Sequence, residues 1–275
     1  MFQTAQPKGT IAVPPLAVTL PPSLSFEMQE EVAVLRLTRA HKRNALDDAT
    51  IEGIAARFAS LPAEVRAVVI HGEGAHFCAG LDLSAVTEND ATAGLFHSRT
   101  WHQAFDLIES GRVPVIAVLH GAVIGGGLEL AAACHIRIAE PSAYYALPEG
   151  QRGLFVGGGG SVRVPRLIGT ARMLDMMLTG RTYGAEDGMV AGFAQYLVEA
   201  GTGLERAIAM ARHVATLAPL SVFAALHALP RIADAEPRTG LLLESLMAAI
   251  AAADQDAKDR LRAFLDKRAG KVAPP

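Results

Sequence analysis

The sequence predicts an α/β fold with a helical C-terminal region, and three observations lead there. Strand-like apolar runs alternate with loops and amphipathic helices three times before residue 135. The longest apolar run, Val113 to Ala139, is broken by His120, Glu129 and a run of glycines, which marks buried core and not a membrane span. From Leu167 onward the periodicity is helical throughout. At 275 residues, 51% hydrophobic and 19% charged, the chain can bury one large core, or one core plus a smaller helical appendage.

Taken in order, residues 1–25 carry Pro7, Pro14, Pro15, Pro21 and Pro22 with almost no charge, which predicts an extended or disordered arm. Val32 to Leu37 reads as a strand, followed by a polar segment from Arg39 to Asn44. A helix capped by Asp47 or Asp48 runs through Ile51, Ile54, Ala55 and Phe58. Ala67 to Ile70 is the next strand, and Gly72-Glu73-Gly74 the loop that ends it. A helix around Arg99 to Ile108 gathers Trp101, Phe105 and Ile108 on one face, as core packing or as the wall of a pocket. Val115 to Leu119 is a third buried strand. The glycines at 157–160 form a turn opening a helix toward Leu167. Helices follow at Ala171–Leu178, Ala185–Val190, Leu204–Leu217, Ser221–Ile232, Gly240–Ala253 and Asp256–Arg268. The expected division is a core over 26–200 and a helical region over 201–275.

A net charge of −3 supplies no basic field, so neither nucleic acid nor an anionic membrane is an expected partner. Cys78 and Cys134 sit among apolar neighbours and read as buried free thiols of a reducing compartment. The N-terminus lacks a basic flank, apolar segment and cleavage site, so a cytoplasmic location is expected. His97 and His102, five apart on a helix, diverge, and no metal site is expected.

The stretch from His120 to Glu149 carries the most chemistry. Gly125-Gly126-Gly127 passes straight into Leu128-Glu129-Leu130, a bare turn opening a helix whose free N–H groups favour an anion. No Lys-Ser/Thr follows the glycines and no G-x-G-x-x-G is present, so an oxyanion is expected in preference to a phosphate. Glu129 and Glu149 are either an acid/base pair or, respectively, a helix-capping glutamate and a solvated loop acid.

Four blocks in order, Arg39 to Leu46 (RAHKRNAL), His76 to Leu83 (HFCAGLDL), Pro114 to Leu130 (PVIAVLHGAVIGGGLEL) and Tyr145 to Glu149 (YALPE), resemble the enoyl-CoA hydratase/isomerase (crotonase) superfamily over roughly residues 26–270. The resemblance implies a crotonase-like spiral of ββα units whose helical C-terminal region builds a homotrimer or a dimer of trimers. It implies a thioester oxyanion hole made by the backbone N–H groups of Leu81 and Gly126, where a side chain on Gly126 would block the substrate. By the same resemblance Glu129 orients and deprotonates water, and Glu149 gives a proton to the α-carbon. CoA contacts are implied at Lys42, Arg43, Ala45 and Ala79, and from the C-terminal segment at Phe264 and Lys267. Coenzyme A enters as part of an acyl-CoA substrate, with no separate cofactor. His135 and Val156 depart from the family's commonest residues at those positions. The expected reaction is hydration of a 2-enoyl-CoA. The alternatives are double-bond isomerisation by Glu149 alone, hydrolysis or carbon–carbon bond cleavage on the same scaffold, or acyl-CoA binding without catalysis.

Overall fold

The computed structural model describes residues 18–85 and 90–266. Strands β1 (Leu24–Gln29), β2 (Val32–Leu37), β3 (Ala67–Gly72), β4 (Val115–Leu119), β6 (Ile136–Ala139) and β9 (Tyr196–Leu197) form one sheet in the order β1-β2-β3-β4-β6-β9. Within this sheet, among the described residues, only the β1–β2 pair is antiparallel. Strands β5 (Ala122–Ile124), β7 (Tyr144–Ala146) and β8 (Tyr183–Gly184) form a second, smaller sheet. β1 starts at Leu24, inside the span expected for the arm, because Leu24 is itself buried in the core and pairs with Leu37.

The main sheet is covered on both faces, which explains why its parallel strands are apolar at nearly every position. Leu35, Ile70, Ala117 and Leu119 face the larger cluster. Val34, Val69, Ile116 and Ile138 point the other way, onto Ala207 and Ala211 of α7 (Gly203–Ala215). α7 therefore belongs to the core, although it lies beyond the boundary expected at residue 200.

Four strands of the main sheet, β2, β3, β4 and β6, each feed a short segment of the second layer and then a helix. β2 leads through Leu46 to α1 (Asp48–Ala59), and β3 through Cys78–Leu81 to α2 (Ala91–Glu109). β4 leads through β5 to α3 (Gly126–Ala133), and β6 through β7 to α4 (Gly160–Ile168). Parallel bridges Leu46↔Leu81 and Cys78↔Val123 stitch these second-layer segments side by side. The result is a spiral of four ββα units. α1 is capped as expected, the Asp47 carboxylate accepting from the Thr50 N–H at 2.9 Å. α2 begins eight residues earlier than the apolar face suggested, because Asp90 caps it and its first turns are exposed.

α5 (Thr170–Thr179) and α6 (Ala185–Ala191) complete the core layer. Beyond α7, α8 (Pro219–Phe223), a π-helical turn at Ala224–Ala228 and α9 (Leu229–Asp234) run together, followed by α10 (Pro237–Ala253) and α11 (Gln255–Leu265). The π turn has a local cause. Pro230 has no N–H and its ring crowds the carbonyl four residues back, so the helix widens just before it. These last helices bury almost nothing of their own. Leu241, Leu242, Leu246, Ile250, Leu261 and Leu265 are all more than half exposed.

Candidate active site

The end of the Cys78–Leu81 segment and the start of α3 meet where the second layer turns into helix. Gly125 takes a left-handed φ of 52° and Gly126 opens the helix. A Cβ on Gly126 would lie 3.5 Å from the Leu81 nitrogen, so the two amides are neighbours. Neither N–H donates to another group among the described residues. Both are free backbone donors fixed on rigid elements, the arrangement that stabilises charge growing on a thioester oxygen. The first obstacle a Gly126 side chain would meet is Trp101, at 2.7 Å, before any substrate. A side chain there would therefore meet the indole as well as any substrate expected to occupy the site.

Glu129, on the first turn of α3, is 3% exposed. Its Oε1 accepts from the N–H groups of Gly158 at 2.8 Å and Gly160 at 2.7 Å. Burial pushes its carboxyl above the usual range, opposed by those peptide donors and by the Arg163 charge. Glu149 opens a 3-10 turn at Glu149–Arg152 directly after β7. Its Oε1 lies 2.6 Å from where a Gly125 Cβ would stand, and its Oε2 is buried without a partner. Burial raises this carboxyl too, and the charge of Glu129 raises it further. The structure thus brings Leu81, Gly126, Glu129 and Glu149 together around one point. Two carboxyls biased toward protonation, beside two free amides, can share proton transfers at adjacent carbons.

The other predicted positions fare differently. The Lys42 ammonium is engaged within the chain, donating to Asp82 at 2.9 Å and Ser84 at 2.7 Å. Arg39 joins the same cluster through Asp82 at 2.7 Å and the Ala45 carbonyl at 2.8 Å. The Ser84 hydroxyl, Lys42 and Arg39 hold the Asp82 carboxyl well below the usual carboxylate range. Arg43 is exposed, with a left-handed φ of 52°, and its carbonyl accepts from the Ala79 N–H at 3.0 Å. Phe264 is half exposed on α11, whose Arg260 donates to the Thr216 carbonyl at 2.8 Å. Lys267 lies outside the described residues.

His135 has a structural account. Its Nδ1 accepts from the Val115 N–H at 3.0 Å, which leaves Nε2 as the donor to the Glu109 carbonyl at 3.1 Å. It fastens the start of β4 to the end of α2. Val156 is buried beside the glycine run. Sequence reasoning missed two groups of the site: the Gly158/Gly160 cradle and Arg163. The available signal was a run of four glycines, which offers peptide donors with no side chains in the way.

The sequence profile of the family "Enoyl-CoA hydratase/isomerase" matches residues 27–272. The chain belongs to this family. A probable enoyl-CoA hydratase of Bacillus subtilis is 34% identical over 251 residues, covering 90% of this chain and 96% of the relative. The 2,3-dehydroadipyl-CoA hydratase of Escherichia coli is 31% identical over 247 residues, covering 89% and 96%. A crystal structure of a Rhodopseudomonas palustris protein provisionally named enoyl-CoA hydratase superposes with a TM-score of 0.89 at 58% identity, covering 94% of this chain and all of that one. The fold is the crotonase fold, and hydratase-type chemistry is what these relatives support.

Proposed function

We propose that the protein adds water across the conjugated double bond of a 2-enoyl-CoA thioester. The observation that carries this is the convergence of two carboxyls, Glu129 buried and Glu149 partly so, both raised by burial, on a pair of free amide donors. In this reading the thioester oxygen sits between the Leu81 and Gly126 N–H groups. They stabilise the enolate that forms as water attacks the β-carbon. Glu129, with Oε1 held by two glycine amides, receives the water's proton through its other oxygen. Glu149 delivers a proton to the α-carbon, and proton exchange between the two acids resets the site. Each transfer contributes about two to four powers of ten. The reading assigns no step to a metal or to a cofactor beyond the substrate's own CoA.

In this reading Arg43, Ala45 and Ala79 contact the CoA adenine end, while the Lys42 ammonium is held by Asp82 at 2.9 Å. The exposed apolar surface of α8–α11 is large for a single chain and supports assembly as a trimer or a dimer of trimers. Two buried free thiols fit a reducing, cytoplasmic setting. No single helix among the described residues is long and apolar enough to cross a membrane.

The test is hydration of crotonyl-CoA, followed by loss of the conjugated-thioester absorbance, in native protein and in Glu129→Gln and Glu149→Gln. Each single change should slow hydration by about a hundredfold or more, and the double variant should be little worse than the weaker single one, because the acids act as a unit. Full hydration by folded Glu129→Gln would remove the two-carboxylate mechanism and favour the single-glutamate isomerase.

A further inference from the structure

Glu129 is aimed by backbone, and the glycines that supply it have no side chains with which to hold the loop against its neighbours. The donors to Oε1 belong to the run of four glycines at 157–160, and a Cβ on Gly160 would fall 2.8 Å from the Glu129 Cγ. Support must therefore come from outside the loop. It comes from α2. The Ser98 hydroxyl donates to the Gly157 carbonyl at 2.6 Å. The Gly158 carbonyl accepts from Nη1 of Arg163 at 3.1 Å. Arg163 is only 6% exposed, and its remaining nitrogens are anchored on α2, Nε on Glu109 at 2.7 Å and Nη2 on Asp106. Asp106 and Glu109 are three residues apart and share a helix face, which matches the two edges of one guanidinium.

We infer that Arg163 is a positioning residue for Glu129: it clamps Gly158 to α2 and so holds the peptide donors that orient the carboxylate toward the reacting water. The inference rests on the assignment of Glu129 to the water. The charged groups facing Glu129 are Arg163 from α4 and Glu149 from the turn after β7. Behind Arg163 stand Asp106 and Glu109, and His102 of α2 lies against Gly159. Glu149 opposes ionisation of Glu129, and Arg163 favours it. Losing Arg163 therefore raises the Glu129 carboxyl and loosens its geometry together.

A merely structural arginine would alter stability alone, so the test reads Glu129 itself. Asp106 and Glu109 have side chains 63% and 37% exposed, so both regain water when the guanidinium is replaced. Arg163→Met keeps the stem, and Arg163→Lys keeps the charge without the fork. Infrared difference titration of substrate-free protein, with the Glu129 band identified by its loss in Glu129→Gln, should show the midpoint in Arg163→Met moved up by about one pH unit. In Arg163→Lys it should return toward the native value. With crotonyl-CoA, kcat should fall about tenfold to a hundredfold in Arg163→Met with KM within about twofold, and the acid limb of kcat should move up in step. An unmoved Glu129 midpoint in folded Arg163→Met overturns the inference. If the Met variant does not fold, native kcat in Arg163→Lys overturns it, and a several-fold fall with unchanged KM supports it. A native protein inactive on enoyl-CoA would refute the proposed hydration, while the infrared titration would still decide the role of Arg163.

Discussion

Gly126→Ala puts one methyl group against Trp101. The added Cβ would stand 2.7 Å from Cζ3 and 3.1 Å from Cη2 of the indole, whereas carbon atoms in good contact are about 3.5–4.0 Å apart. Something must move by about 1 Å. The indole is 4% exposed, lies edge-on to Phe105 at 5.7 Å between centroids and is flanked by His97 at 6.0 Å. Overpacking such a site costs about 1–3 kcal/mol, which would lower Tm by about 3–10 °C in a chain of this size. If α3 yields instead, the Gly126 N–H swings away from the Leu81 N–H. Loss of one oxyanion donor then costs about 3 kcal/mol, or about a hundredfold in kcat. Hydration of crotonyl-CoA and thermal unfolding, measured on the same preparations, separate the two terms. Adding Trp101→Leu should make room for the methyl and recover part of both. A folded Gly126→Ala protein with native kcat and native Tm would refute the placement of the indole and of the donor pair.

Three further outcomes are expected. Burial, then His120 and Arg36, push the His71 imidazole down to about 4, below the ordinary histidine value of about 6.5. The unfolded chain therefore takes up this proton first, and stability should fall as pH drops from about 6.5 to about 4. Glu129 and Glu149, raised in the folded state, act in the opposite sense, costing stability as pH rises above about 4.5. His71→Gln should flatten the acid loss in urea titrations at pH 5 and 7, and an unchanged slope would count against it. Asp82→Asn breaks two ion pairs at 2.7 and 2.9 Å and should cost about 1–3 kcal/mol in urea unfolding; native stability would show that the cluster is dispensable. Light scattering at micromolar concentration should find a trimer or hexamer, and a monomer would leave the exposed leucines of α10 unexplained.

Local chemistry alone determined a large part of this protein. Apolar runs of strand length, the Asp47 cap, the helix opened by glycines and the helical C-terminal third are all settled within a few residues of themselves, and four ordered blocks carried the family and its fold. What lay beyond reach was set by groups distant in the chain. Trp101 and Gly126 are 25 positions apart, and only the stacking of α2 on α3 makes the indole the neighbour that demands a glycine there. Lys42 reads as a free cation until Asp82 arrives from the next ββα unit and claims it. The run at 157–160 reads as a turn, because a sequence of glycines signals bare peptide donors without saying what they hold. Which carboxylate they hold depends on how α4 docks on α3. Whether Arg163 is a surface charge or a buried clamp depends on where Asp106 and Glu109 lie when α2 packs over it. Tertiary structure decided these points because a desolvated charge must find its partners in space, and adjacency along the chain does not say which partners those are.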